Sequence, residues 1–547
     1  DLTATGTDAA PLVDITRGQF RLLQVEAFTN VSALSVAGGL GADVFNVTPG
    51  AISVFIDGGD PIGFGDRLNI VAASATNRPG PQNDEGAWEI PGASSVSYDR
   101  IESTVLNGQT PPPELPVVDM NSGMATLNLD GDTSDDLTIA VVGGRTQLSD
   151  ASRPISSGDE TSQVDPQTVE FNEPPTDVTI NGGEGDDTLT IDLRNGNPLN
   201  GGTLTFNGGA GGNDKLVIID DNGRTVISGR YTPDIVNGGD GVHSLDLAGG
   251  GTLTITFTGL EPTVISGIPN YTFQSPGSVD VITVGAIVEA GAAALTVSGT
   301  SDGVTFESLF LYDVASFTID LGTNDTLGGG SGNDTLTIVG GLEDGVDIAR
   351  GLQNLSIDLG TAGTGDVDSL TISSTLDVPG FVSIDGAVIN SNSSIGRNVN
   401  IGATANLSPG PGTAQLTVGD LQFTAGATVS IEVESATPGT GFDQLLVNGM
   451  VDLSGATLNL DASSSTVTGG TSLVIIDNDG ADAVAGTFTG LAEGAIFQAS
   501  GNTFRISYTG GDGNDVVLTK EEANLPIARI DGPTSPVTEG ENAVFTI

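Results

Sequence analysis

Eight copies of one five-residue unit stand out in this sequence: Asp, any residue, an apolar residue, any residue, then a β-branched one. They are Asp43-Val-Phe-Asn-Val47, Asp66-Arg-Leu-Asn-Ile70, Asp135-Asp-Leu-Thr-Ile139, Asp187-Thr-Leu-Thr-Ile191, Asp214-Lys-Leu-Val-Ile218, Asp334-Thr-Leu-Thr-Ile338, Asp368-Ser-Leu-Thr-Ile372 and Asp443-Gln-Leu-Leu-Val447. Two kinds of chemistry suit them. A carboxylate is the hard anionic donor that Ca2+ takes, and adjacent pairs such as Asp135/Asp136, Asp186/Asp187 and Asp220/Asp221 could do acid–base work. The positioning element is legible in the unit itself. Gly, Asn and Asp crowd the residues before most copies, as a turn of permissive backbone requires, and the residues that follow alternate as in a half-buried strand. A chain built from one repeated turn and strand reads as a scaffold before it reads as a catalyst.

Composition agrees. The chain has 547 residues, 80 of them Gly and only 16 Lys or Arg, which favours an all-β fold rich in tight turns. Its formal net charge is −54. With a Debye length of roughly 8 Å at physiological salt, carboxylates clustered on neighbouring turns still repel, and divalent cations are the obvious relief. No basic stripe exists to displace counterions from phosphates, so nucleic acid is not an expected partner. The absence of Cys excludes disulfides and thiolate chemistry. The sequence starts at Asp1 with no signal segment before it, as a processed or partial chain would. The run from Val281 to Val297, interrupted by Glu289, is too short to span a bilayer and reads as two buried strands.

Along the chain, Val36 to Gly108 and Ile180 to Gly267 open with similar Gly-rich acidic turns. They close with similar strands, Val96-Ser-Tyr-Asp-Arg-Ile-Glu-Ser-Thr-Val-Leu-Asn-Gly108 and Ile255-Thr-Phe-Thr-Gly-Leu-Glu-Pro-Thr-Val-Ile-Ser-Gly267. The expected organisation is an N-terminal strand segment (1–33), a first acidic-turn module (34–110) and a linker with a candidate calcium loop (111–177). The linker holds Pro111-Pro-Pro113 and a surface excursion from Ser149 to Pro175. A second module (178–270), an irregular solenoid (271–380), a further β-helix (381–520) and a terminal segment (521–547) follow. Helical periodicity is nearly absent; only Leu342 to Leu355 could hold a turn or two. Stacked coils of such strands, about 4.8 Å apart, place apolar ladders inside and Asp, Asn and Thr ladders outside.

Several stretches resemble known families. Gly329-Gly-Ser-Gly-Asn-Asp-Thr-Leu-Thr337 resembles the RTX calcium-binding nonapeptide, as do Gly182 to Thr190 and Gly38 to Asn46, while Gly209 to Val217 and Gly510 to Val517 come close. Asp325 and Asp334 stand nine residues apart, as tandem copies do. The resemblance implies Ca2+ as cofactor, with Asp187, Asp214, Asp325, Asp334 and Asp515 as ligands; a turn opening a strand without an ion is the alternative at each copy. Asn128-Leu-Asp-Gly-Asp-Thr-Ser-Asp-Asp-Leu137 is similar to the calcium loop of FG-GAP repeats. It implies Asn128, Asp130, Asp132 and Asp136 as side-chain ligands and Ser134 through its carbonyl, although Thr133 replaces the usual Gly. Phe381 to Thr519 resembles an autotransporter passenger, which implies a right-handed parallel β-helix displayed on a bacterial surface. Pro526 to Ile547 is similar to the opening strands of Calx-beta and immunoglobulin-like sandwiches, and a chain that continues past Ile547 is expected.

Catalytic constellations are not found. His243, the sole His, lies in Gly-Asp-Gly-Val-His-Ser244 and reads as a surface turn residue. Trp88 and Tyr98 read as rim or core rather than as a sugar-stacking face. The expectation is therefore an all-β protein of parallel β-solenoid modules, with sandwich-like insertions and the first strands of an Ig-like domain. It would be an extracellular, calcium-stabilised structural segment of a fibre, S-layer or matrix polymer, associating with copies of itself. An adhesin recognising a glycan through the Ser149–Pro175 loop is the alternative, and a β-helix polysaccharide lyase or hydrolase the third reading.

Overall fold

The computed structural model describes residues 2–522 and Thr538. Within that span it leaves out 7–11, 18–19, 26–30, 38–42, 60–65, 81–83, 102, 108–115, 122, 130–133, 158–160, 166, 211, 222, 290–291, 328–331, 340–350, 361–367, 374, 377, 387, 392–393, 411 and 480–481. The fold is all-β, as the turn-and-strand texture implies; among the described residues there is no α-helix, and a single 3-10 helix spans Gly322–Leu327. No helix among them is long and apolar enough to cross a membrane.

The chain divides into two compact units, one of residues 1–117 with 154–156 and one of the remainder. In the first, Val31–Ala37, Ser53–Asp57 and Val96–Asp99 stack in parallel in one sheet, and Asp43–Thr48, Arg67–Ile70 and Ser103–Leu106 in another. The chain crosses between the sheets and back once per coil. Leu34, Val36, Phe45, Val47, Val54, Ile56, Leu68 and Ile70 fill the space between them. Trp88 and Tyr98 belong to this core, Trp88 with no exposed surface, so neither offers a stacking platform.

The second unit repeats the plan on a larger scale, with one sheet of 20 strands and one of 17 among the described residues. Met124–Asn128 leads to Asp136–Val142, Asp177–Glu184 to Thr188–Asp192, and Thr203–Ala210 to Lys215–Ile219, each pair forming one coil. Register is set by like residues stacking inward: Ile139 on Ile191 on Ile218 on Ile265 in one sheet, Ile180 on Phe206 on Phe257 in the other. A one-residue slip would turn every such ladder to solvent, which is why register is firm. Each buried Leu, Ile or Phe contributes roughly 1.5–3 kcal/mol against the cost of ordering the chain.

Two antiparallel insertions interrupt the parallel ladder. They are Val226–Pro233 with Gly241–Leu247, and Asp280–Glu289 with Ala292–Ser301. The second covers the Val281–Val297 run. Its two strands are present but only one face is buried, since Ile282 and Val284 face inward and Val281 is exposed. The stretch read as a linker and surface excursion instead holds strands Arg145–Asp150, Ser156–Ser157, Thr161–Asp165 and Thr168–Phe171. Leu148, Val169 and Phe171 are buried there, and these alternating apolar residues outweigh the Ser, Pro and Asp content that suggested a loop. At the far end the stacking changes: Ser472–Asn478 pairs antiparallel with Asp515–Lys520, which pairs antiparallel with Asn502–Gly510. Of Leu342 to Leu355, residues 342–350 lie outside the described residues, and Asn354–Asp358 is a strand. The Ig-like segment lies outside them but for Thr538.

Candidate functional site

The Asp of the repeated unit does not point outward. In a strand, residues i, i+2 and i+4 share one face, so an Asp two residues before an inward Leu is inward as well. Asp66, Asp135, Asp187, Asp214, Asp334, Asp368 and Asp443 are all at most 2% exposed. Asp443 heads Gln444–Val447 of the larger sheet, whereas Asp135, Asp187, Asp214, Asp334 and Asp368 sit at the corner where the chain turns into the smaller one. There the Asp135 N–H donates to Asp187 Oδ1 at 2.8 Å, and the Asp187 N–H to Asp214 Oδ1 at 2.8 Å. A second run repeats this, from the Asp280 N–H to Asp334 Oδ1 at 2.8 Å and from the Asp334 N–H to Asp368 Oδ1 at 2.9 Å. The main chain meanwhile keeps its own ladder, Thr188 N–H to Asp135 O and Lys215 N–H to Asp187 O, both 2.7 Å.

The chemistry of the residue choice follows. At the corner the chain leaves the sheet, and the N–H of each Asp loses the carbonyl a regular ladder would supply. A buried N–H without a partner costs about 1–3 kcal/mol. The carboxylate of the next coil supplies the missing acceptor. The Gly-rich approach has an equally local cause: a Cβ on Gly182 would collide with Asp187 Oδ2 and the Gly208 carbonyl, and one on Gly208 with Asp214 Oδ2 and the Gly259 carbonyl. Asp280, heading Asp280-Val-Ile-Thr-Val284, is buried as well and opens the second corner run.

Burial sets the electrostatics. Asp187 is pushed up to about 6, first by desolvation, against the hydrogen bond from the Asp135 N–H. Its Oδ2 is buried with no hydrogen-bond partner. Asp135 rises to about 7 by desolvation although Arg153 pairs with both its oxygens, Nε at 2.8 Å and Nη2 at 2.9 Å. Asp443 also rises to about 7 by desolvation, despite accepting from the Ala414 and Glu432 N–H groups at 2.7 Å each. Desolvation raises Asp214 and Asp280 too.

The sequence-derived calcium ligands therefore fall in different places. Asp187, Asp214 and Asp334 are corner residues with one oxygen already engaged, and Asp515 accepts from the Asn478 N–H at 3.0 Å. Asn128 begins an amide ladder on the outer face. Its Oδ1 accepts from Asn181 Nδ2, and Asn181 Oδ1 from Asn207 Nδ2, both at 2.6 Å. Ser134 Oγ accepts from the Asp186 N–H at 3.1 Å, and Asp136 is exposed at the start of its strand. Asp130, Asp132 and the Asp325 side chain lie outside the described residues. Ca2+ takes six to eight oxygens; among the described residues no three Asp, Glu, His or Cys side chains converge. The adjacent Asp pairs are split likewise. Asp135, Asp187 and Asp220 are buried while Asp136, Asp186 and Asp221 are exposed, so no pair presents two carboxyls to one substrate.

His243 is not on the surface. It lies in Gly241–Leu247 with no exposed area, stacked on Tyr231 at 4.9 Å and near Phe257 at 5.3 Å, with Nδ1 2.6 Å from Tyr271 Oη. Tyr231 Oη donates to the Glu307 carbonyl at 3.2 Å. Alternation was the available signal, since Gly241, His243 and Leu245 are all buried and the Gly-Asp-Gly turn before them obscured it. Desolvation pushes the His243 ring down to about 3. We expect the imidazole carbon resonances of this sole His to stay unchanged between pH 8 and pH 5; a titration midpoint near 6.5 would contradict its burial.

A scan against protein-family models finds no match to this chain, and a search of the curated proteins finds no significant one. The family resemblances of single motifs thus stand on those motifs alone.

Proposed function

We propose that this chain is a structural protein, a β-solenoid segment of an extracellular surface fibre, layer or matrix polymer, and that it is not an enzyme. The observation that carries the reading is the corner row. The recurrent acidic residues, the best candidates for chemistry, are turned inward and spent on hydrogen-bonding the backbone of the next coil. A protein whose repeated carboxylates hold coils together is built to keep a shape. The RTX-like and autotransporter-like stretches support export and display, and the net charge of −54 suits a hydrated surface polymer. Calcium belongs in this reading at Asp130, Asp132 and Asp325, none of which heads a turn-and-strand unit.

Electron microscopy of the purified chain in millimolar Ca2+ tests it. Filaments or sheets of uniform width are expected. Particles that stay monodisperse in every condition, or release of reducing or unsaturated ends from acidic polysaccharides, would overturn it.

A further inference from the structure

Along the outer face of the larger sheet most residues between inward ladders are small and polar, though Met124, Ile227 and Ile496 are exposed there too, and one aromatic ring stands out. Phe381, just before strand Val382–Asp385, is 51% exposed, and no other aromatic ring among the described residues of this unit is as exposed. Val382 stacks on Val399 and Val399 on Leu421, all inward, which sets Phe381, Asn398 and Asp420 in one outward row across three coils. Asn400 pairs in register with Gln422 in the next outward row. The rows lie about 7 Å apart, two residues along the strand, and successive members about 4.8 Å apart. Together they line an open groove of about 410 Å3. A second depression of about 390 Å3, lined among others by Arg397 and Asn448, shares Asp420 with the groove.

We propose that this trough binds an extended, uncharged polysaccharide. A ring that stays in solvent at an outward strand position has no core to serve, whereas its face suits the apolar C–H face of a pyranose. The amides beside it each carry an acceptor and two donors, matching vicinal hydroxyls that both donate and accept. Asn398 Nδ2 is held by the Gly380 carbonyl at 2.9 Å, which fixes the side chain and leaves its Oδ1 for a ligand. The Gln422 amide is exposed and makes no hydrogen bond among the described residues. Asp420, which lines the groove, accepts from the Met450 N–H through Oδ1 at 2.9 Å. The repeat of coils favours a polymer over a single sugar, and the carboxylate in the trough, on a chain of net charge −54, disfavours an acidic one. The groove functions whether or not the chain assembles, so its test is separate from that of the fibre reading.

The test is affinity electrophoresis of the whole chain through native gels containing dextran, a mixed-linkage β-glucan, xylan or galactomannan, with polygalacturonate as the acidic control. At least one neutral polymer should retard the wild-type chain. Phe381→Ala should weaken that binding about tenfold or more and Gln422→Ala several-fold, with both variants melting as wild type. Sedimentation velocity on the same samples should be unaffected by Phe381→Ala. Absence of retardation by every neutral polymer, equal binding by Phe381→Ala, or retardation by polygalacturonate of equal strength would overturn the proposal. So would a loss of self-association on Phe381→Ala, which would make the face a contact between copies.

Discussion

Replacing Asp187 by Ala should loosen three consecutive coils, whereas replacing it by Asn should not. Alanine removes the acceptor of the buried Asp135 N–H and leaves a small void, a loss of about 2–4 kcal/mol. Asparagine keeps Oδ1 in place and removes a desolvated charge, so at pH 8 it should be neutral or stabilising. In a solenoid each coil contacts only its neighbours, so the effect should be local. Hydrogen exchange should accelerate in Asp136–Val142, Thr188–Asp192 and Lys215–Ile219 of Asp187→Ala and stay unchanged in Thr428–Glu432 and Thr457–Asp461. Equal protection in Ala and Asn variants would remove the carboxylate from its bridging role.

The protein should be more stable at pH 5 than at pH 8, the reverse of a fold held by ordinary surface ion pairs. Asp135, Asp443 and Glu307 are each raised to about 7 and Asp187 to about 6, all first by desolvation. Between these values and the ordinary carboxylate value near 4 the folded state binds more protons than the unfolded chain, so stability falls as pH rises. The penalty is fully present above about pH 7, is relieved as pH falls through 7 to 6, and is gone below about 4. Asp192, lowered by its hydrogen bonds from Arg194, works the other way only near and below pH 4. Thermal unfolding at 0.5 M NaCl separates the buried groups from general repulsion, because salt screens exposed carboxylates far more than buried ones. A melting temperature several degrees higher at pH 5 should persist in salt and shrink in Asp187→Asn with Asp443→Asn. A melting temperature that rises with pH would contradict the burial of these carboxylates.

How much of this was legible depends on which face of the alternation is read. The Leu and Ile of Leu189, Ile191, Leu336 and Ile338 announce inward ladders, and the all-β coil follows from them. The same period of two places the preceding Asp on the inward side, and the glycines beside it match a calcium turn equally well. The deciding partner, an N–H of the neighbouring coil 27 to 54 residues away, is invisible in a linear motif. His243 follows the same alternation, inward with Gly241 and Leu245, although the Gly-Asp-Gly turn before it suggests a surface position. The Phe381 groove could not be found from sequence at all, because it needs the register of three coils.

Thermal unfolding of the wild-type chain and of Asp187→Asn/Asp214→Asn, each in EDTA, in Ca2+ and in Mg2+, tests the central claim most directly. If the corner carboxylates bond backbone rather than ions, the double variant folds. The difference between its melting temperatures in Ca2+ and EDTA then equals that of wild type, whatever its size. A calcium-specific stabilisation present in wild type and lost in the variant would make these residues ion ligands and would contradict the inward ladder.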